Sequence, residues 1–165
     1  MIVLMPLAAA VLPAIFIAAG RNVCAIVTAC VSLASLTLLM SYAPAIFAGE
    51  VVHGSVEWAP QLGLSFNFFL NALGFFFAAM ILGVGLLVIV YARFYLRRED
   101  PMGRFYAYLL VFQGTMLGVV LSDNVLLLVV FWELTSLSSF LLIGYWSHLP
   151  EGRQGARMAL VVTGG

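Results

Sequence analysis

Lysine is absent from this chain of 165 residues, and charge of either sign is scarce. Charged residues make up 8% of the sequence, whereas soluble globular proteins average about a quarter. Seven arginines balance seven acidic residues, so the chain has no basic surface that could neutralise a nucleic-acid backbone. The composition therefore argues against a soluble domain and against nucleic-acid binding.

Cysteine and histidine are also scarce, and they form no cluster with the spacing of metal ligands. Cys24 and Cys30 fall in one apolar run, about 240° apart on a helix, so they are expected to be buried thiols without a mutual disulfide. His53 and His148 lie in loops and are expected to be solvated. Neither a GxSxG nor an HExxH motif occurs, and no glycine-rich turn could hold a phosphate. We therefore expect no metal, no cofactor and no enzymatic activity.

Long apolar runs are what the sequence has in abundance. Hydrophobic residues make up 64% of the chain, and runs of about 20 residues are long enough to cross a hydrocarbon core of about 30 Å. The sequence predicts an all-α, polytopic transmembrane helical bundle, a single domain over residues 1–165. Pro6 and Pro13 predict a kink in the first helix. The predicted helices span residues 2–19, 23–48, 67–92, 105–121 and 124–146, and a sixth begins near Ala156.

The first run could also be a signal peptide, but no cationic residue precedes it, and the first arginine of the chain comes after it. The arginines fall only in alternate loops, whereas residues 49–66 and 122–124 carry acids and no arginine. By the positive-inside rule the arginine loops are cytoplasmic, which places the N-terminus outside. The inner loop 93–101 is interpreted as a solvated connector or, alternatively, as a contact for anionic lipid or a partner.

The outer loop carries a strand pattern. Val56 and Trp58 alternate with polar residues before Ala59-Pro60-Gln61, and Leu62, Leu64 and Phe66 alternate after it. This pattern predicts a short β-hairpin between the second and third helices, with Trp58 at headgroup level. Close helix packing is predicted at Gly114 and Gly118, spaced as GxxxG, and at Gly83, four residues after Ala79.

One charged residue, Glu133, falls well inside an apolar run. It lies nine residues after Asn124, or about 13 Å along a helix, close to the middle of the bilayer. An acidic group there costs about 3 kcal/mol, so it is expected to face the protein interior or a wet cavity and to carry protons or ions. Its basic partner must come from another segment or subunit, because there is no lysine and every arginine lies on the cytoplasmic side.

Hydroxyl side chains accompany Glu133 along its helix. Ser136, Ser139 and Thr135 are displaced from it by about 60°, 120° and 160°, all towards the same side. They could hydrogen-bond the carboxylate or hold a file of water along the proton path. Alternatively, each hydroxyl could bond the carbonyl of the preceding turn and serve helix packing alone.

Two stretches, Gly118–Asn124 and Phe131–Trp146, resemble the fifth-helix region of the large A-type component of Mrp-type (Pha-type) multisubunit Na⁺/H⁺ antiporters. Related proton-pumping subunits of respiratory NADH:quinone oxidoreductase also carry Trp-Glu there, but Leu-Thr-Ser-Leu-Ser-Ser is more similar to the antiporter branch. Arg157–Leu160 and Thr163–Gly165 resemble the next helix of the same family, and Trp58–Pro60 resembles its outer hairpin.

The resemblance implies two inverted repeats of five helices behind a few leading helices, and a lysine two helices downstream that pairs with Glu133. The chain stops before that lysine and therefore resembles the N-terminal part of a longer subunit. The resemblance also implies a hetero-oligomer in a bacterial inner membrane, surrounded by lipid, that exchanges Na⁺ for H⁺. Two alternatives remain: a membrane subunit of a redox-driven proton pump, and a helical scaffold. Asn71 departs from the family, which commonly has aspartate there, so a charged role at this position is in doubt.

Overall fold

A computed structural model describes residues 1–15, 20–59, 64–96, 100–146 and 150–164. The described elements are helices, one pair of consecutive strands and the 3-10 turn Gly144–Trp146. The elements in chain order are α1 (Leu4–Ala9), α2 (Leu12–Ile15), α3 (Arg21–Met40), α4 (Ala43–Phe47), β1 (Val52–Ala59), β2 (Leu64–Leu70), α5 (Ala72–Tyr95), α6 (Met102–Leu121), α7 (Val125–Ile143) and α8 (Pro150–Gly164).

Four helical segments of the described chain are long and apolar enough to cross a membrane. They are the α3–α4 segment Asn22–Phe47, and the helices α5, α6 and α7. The α1–α2 segment is apolar but shorter, at Leu4–Ile15. The chain is thus a multi-pass membrane protein, and the predicted all-α transmembrane class is confirmed.

Prolines divide the two leading runs into shorter helices. The first run, expected as one kinked helix, contains the separate helices α1 and α2, and each carries a proline near its start. The second run is interrupted after Met40, and α4 resumes with Pro44 in its first turn. The Pro44 ring would clash with the carbonyl of Met40 in a continuous helix, and the missing N–H would remove one backbone hydrogen bond.

The outer β-hairpin is confirmed. Strands β1 and β2 pair antiparallel, from Val52 opposite Leu70 to Val56 opposite Phe66, and the register shifts between Glu57 and Ala59. Because residues 64–70 belong to β2, the third long helix begins at Ala72 rather than at residue 67. Several positions of the sequence analysis lie outside the described residues, namely the hairpin turn 60–63, Arg97, Arg98 and His148, and the side chains of Arg21, Trp58 and Arg153.

Helix α6 lies at the centre and packs against α1, α2, α3, α5 and α7. Leu39, Leu82 and Leu117, one from each of α3, α5 and α6, are fully buried together. A second cluster lies nearer the start of α6, where the buried Tyr106 donates a hydrogen bond to the carbonyl of Ile89 at 3.2 Å. This core holds α6 in place, and α7 packs against α6.

The hairpin also reaches the start of α7. The backbone N–H of Asp123 donates to the carbonyl of Asn67 at 2.9 Å, and Phe68 forms an isolated bridge with Ser122. The rings of Phe68 and Phe131 lie 6.1 Å apart. These contacts anchor the α6–α7 turn, and therefore the first turns of the helix that carries Glu133, to the hairpin.

Candidate ion-path site on helix α7

Helix α7 presents Glu133 near its middle. The helix begins after Asn124, whose side chain caps it by accepting the N–H of Leu126 at 2.9 Å. Glu133 is exposed, as are its neighbours Trp132 and Leu134, while Phe131 and Ser136 are buried. The carboxylate therefore points away from the helices packed behind α7, and the face around it is open in the described part of the chain.

The three hydroxyl side chains that were predicted to accompany Glu133 have different surroundings. Thr135 donates to the carbonyl of Phe131 at 2.8 Å, which is the bond within its own helix that the alternative interpretation expects. Ser136 is buried and donates across to the carbonyl of Thr163 on α8 at 3.3 Å. Ser139 is half-buried. Of the three hydroxyls, Ser136 thus links α7 to the next helix, and Thr135 is committed to its own backbone.

Ser138 is the hydroxyl that sequence reasoning missed. It is 2% exposed, donates to the carbonyl of Thr135 at 3.0 Å, and lies 3.5 Å from the hydroxyl of Thr115 on α6. Its angle relative to Glu133, about 140° on the opposite side from these three hydroxyls, excluded it from the predicted set. A run of four hydroxyl residues in five positions was the available signal.

A second polar contact lies behind α6, between Gln113 and Ser32. Both side chains are buried, and the Ser32 hydroxyl donates to Oε1 of Gln113 at 2.9 Å. Nε2 of Gln113 has no hydrogen-bond partner among the described residues. The amide lies directly against Gly85 of α5. An uncharged amide in the middle of an apolar run marked this position in the sequence, although its neighbours could not be read there.

Two of the glycines singled out for packing lie at helix contacts. A Cβ added at Gly114 would lie 2.6 Å from the side chain of Leu7, and one added at Gly118 would overlap the ring of Phe131. At Gly83, no described atom other than those of its own helix backbone and chain neighbours lies within 4 Å of such a Cβ. The tight position on α5 is Gly85.

Asn71 acts as a helix cap. Its side-chain oxygen accepts the N–H of Gly74 at 2.7 Å at the start of α5. The cap needs an acceptor oxygen and no charge, so asparagine and aspartate are equivalent in this role. The departure at this position is therefore compatible with an unchanged helix start.

The cysteines and histidines of the described chain form no metal site. Cys24 is buried as expected, whereas Cys30 is exposed, which corrects the expectation that both are buried. Cys30 lies on a helix face that the described residues do not cover. His53 is exposed on β1. Within the described residues, no group of three histidine, cysteine or acidic side chains could hold a metal ion.

Comparison with known proteins gives consistent matches. The family model described as NADH-ubiquinone oxidoreductase (complex I), chain 5 N-terminus, matches residues 58–106. The chain is 43% identical over 162 residues to a probable K⁺/H⁺ antiporter component (A/B) of Rhizobium meliloti (strain 1021), covering 98% of this chain and 16% of the relative. It is 49% identical over 116 residues to the A-type component of the Na⁺/H⁺ antiporter of Alkalihalophilus pseudofirmus, and the match covers 70% of this chain and 14% of the relative.

Solved structures share the fold. The structure of the Mrp complex from Dietzia sp. DQ12-45-1b matches with a TM-score of 0.80 at 32% identity, over 98% of this chain and 17% of that one. The membrane-bound sulfane sulfur reductase, an archaeal respiratory membrane complex, matches with a TM-score of 0.76 at 20% identity. This match covers 97% of this chain and 24% of that one. The chain therefore spans about a sixth of the curated relatives it matches.

Proposed function

The chain belongs to the family of A-type components of multisubunit cation/proton antiporters, and from this we propose that it is part of a subunit that exchanges Na⁺ for H⁺ across a bacterial inner membrane. Other subunits of a hetero-oligomeric complex are its partners, and Na⁺ and H⁺ are the transported ions. It works as a secondary transporter rather than as an enzyme.

Glu133 is the carboxylate that loads and releases the proton. The observation that carries this assignment is a single acidic side chain halfway along a membrane-crossing helix, on a face that the described helices leave open. A carboxylate exposed to hydrocarbon at this depth is costly, so the face needs a cover that supplies a cation or water. The remainder of the longer subunit provides the cover and the basic partner.

Ser136, Ser139 and Thr135 take the secondary part in this proposal. Ser136 joins α7 to α8 through the carbonyl of Thr163, which holds the two helices beside the carboxylate. Ser139 is half-buried on the same side and is available to hydrogen-bond water. Water can replace a hydroxyl in a wet cavity, so each hydroxyl contributes less than the carboxylate.

The test is Glu133→Gln in the complete complex, with antiport followed as cation-induced dequenching of a pH probe in vesicles. Glutamine keeps the shape but cannot ionise, so Na⁺-dependent proton flux should fall to near that of empty vesicles. Assembly should be intact, because removing the charge eases insertion by up to about 3 kcal/mol. Glu133→Asp should retain partial activity with a shifted pH optimum, since desolvation and the distance to the cation both change.

Ser136→Ala and Ser139→Ala on the same helix serve as controls and should reduce flux only mildly. Flux in the Glu133→Gln complex equal to that of the parent at every pH would contradict the proton-path role. A complex that fails to assemble when Glu133 is replaced would instead favour the scaffold interpretation. All fluxes are normalised to the amount of assembled complex.

A second candidate is a membrane subunit of a redox-driven proton pump, which the match of residues 58–106 to a complex I chain favours. The same Glu133 would then move protons in response to a reaction catalysed by other subunits. Absorbance of the purified complex separates the two functions. An antiporter complex should show no flavin or iron–sulfur bands, whereas a redox pump carries both.

A further inference from the structure

Phe131 lies on α7 two residues before Glu133, and the two side chains have opposite surroundings. Phe131 is 5% exposed, whereas Glu133 is exposed. Two residues correspond to about 200° around a helix, so the side chains point to opposite sides of α7. The ring of Phe131 therefore faces the helices behind α7, and the carboxylate of Glu133 faces the open side.

Gly118 of α6 lies directly against the ring of Phe131. A Cβ added at Gly118 would overlap the Cγ and Cδ1 atoms of that ring. The Cγ atom can move only if the χ1 angle of Phe131 changes or if its backbone shifts, and few χ1 rotamers are allowed in a helix. The absence of a side chain at position 118 thus sets how closely α7 lies against α6.

The β-hairpin also contacts the ring of Phe131. The ring of Phe68 on β2 lies 6.1 Å from it, centre to centre, at an angle of 51°, which is within the range of interacting aromatic pairs. Phe68 is held near α6 by its bridge with Ser122, and the Ser122 hydroxyl donates to the carbonyl of Gly118. The ring of Phe131 therefore packs against two elements that are themselves joined.

The backbone of α7 carries any movement of Phe131 to Glu133. The two residues belong to one helix, Val125–Ile143, and the hydroxyl of Thr135 donates to the carbonyl of Phe131 at 2.8 Å across the turn that contains Glu133. Since a hydrogen-bonded turn moves as a unit, a displacement of Phe131 by about 1 Å displaces the carboxylate by a similar distance.

We propose that Phe131 is a positioning residue for Glu133. Its ring, packed against Gly118 and Phe68, sets the position of the carboxylate on the open face of α7. The consequence for antiport rests on the proton-path role proposed for Glu133. The position of the carboxylate itself can be measured without transport, so the two proposals can fail separately.

The test compares Gly118→Ala with Gly114→Ala in the complete complex. Both variants add one methyl group to α6, one turn apart, but the first meets Phe131 of α7 and the second meets Leu7 of α1. The readout is the rate at which an apolar carbodiimide modifies the carboxyl group of Glu133, measured by mass spectrometry after digestion. Gly118→Ala should change this rate by about tenfold or more, because displacements of about 1 Å alter reactivity strongly. Gly114→Ala should keep the rate of the parent.

Phe131→Ala removes the ring that the new methyl group meets. Its modification rate at Glu133 should also differ from that of the parent, and adding Gly118→Ala to it should change the rate no further. Na⁺-dependent proton flux should fall in Gly118→Ala and in Phe131→Ala, but not in Gly114→Ala. A changed modification rate with the flux of the parent would support the positioning role and contradict the transport role of Glu133.

Phe68→Leu serves if Gly118→Ala fails to assemble, because it removes an aromatic contact without adding volume. It should change the modification rate in the same direction as Phe131→Ala, by a smaller factor. The parental rate in Phe131→Ala or in Phe68→Leu would overturn the proposal. An equal change in Gly114→Ala and Gly118→Ala would also overturn it, since loosening of the whole bundle would then explain the effect.

Discussion

Gly83 and Gly85 lie two residues apart on α5 and meet different surroundings. A methyl group at Gly85 would overlap the buried amide of Gln113, which is also held by Ser32, whereas a methyl group at Gly83 meets no described neighbour. Gly85→Ala should therefore destabilise the complex by about 1–3 kcal/mol through overpacking. Gly83→Ala should be neutral. Thermal unfolding of the purified complex, followed by size-exclusion chromatography after heating, measures the difference.

Shortening the opposing side chain provides a further control on this contact. If the amide is what the new methyl group meets, Gln113→Ala combined with Gly85→Ala should be less destabilised than the sum of the two single variants. Additive effects would show that Gly85 does not act through Gln113. Equal melting of Gly83→Ala and Gly85→Ala would contradict the packing difference itself.

Single residues show where sequence reasoning reached its limit. Glu133 could be singled out because a charge within an apolar run is anomalous in any fold. Its helical angle to Ser136 could also be calculated, but the partner of Ser136, a carbonyl on α8, depends on which helix lies beside it. Ser138 was missed because its angle to Glu133 lies outside the predicted set. The neighbours of Gln113 could not be predicted, because periodicity gives a direction around a helix and not the residue found there.

At the scale of elements, the start of α5 depends on one cap. Asn71 accepts the N–H of Gly74 at 2.7 Å, and the following helix runs 24 residues across the membrane. Asn71→Ala should lower the free energy of unfolding by about 0.5–2 kcal/mol, because the capping hydrogen bond is lost. Asn71→Asp should keep the stability of the parent, since a carboxylate accepts the same bond. Melting temperatures of the three complexes measure this, and an Asp variant as unstable as the Ala variant would contradict the cap assignment.

Element boundaries were harder to predict than element types. The alternation around Ala59 was sufficient to predict the hairpin, because period two is distinct from a helical period. The end of β2 was hidden, since Phe68, Phe69 and Leu70 are as apolar as the helix that follows. The helix break near Pro44 was not predicted, because the apolar run continues on both sides of this proline.

At the scale of the whole molecule, the two ends of the bundle differ in charge and in structure. The hairpin and the α6–α7 turn meet at one end, through the bond from Asp123 to Asn67. Asn22 and Arg93 meet at the other end. The assignment of arginines to alternate loops thus corresponds to a physical separation of the two ends. The proposed orientation, with the N-terminus outside, follows if the arginine end is cytoplasmic.

Cysteine labelling of the complete complex decides this orientation. Replacing Cys24 and Cys30 by alanine gives a background for two matched probes, His53→Cys on the exposed part of β1 and Gln154→Cys on the exposed start of α8. A membrane-impermeant thiol reagent added to intact cells should reach the His53 position only. The same reagent should reach the Gln154 position only in inverted vesicles, because arginine-bearing segments are retained in the cytoplasm. The opposite pattern would reverse the proposed orientation.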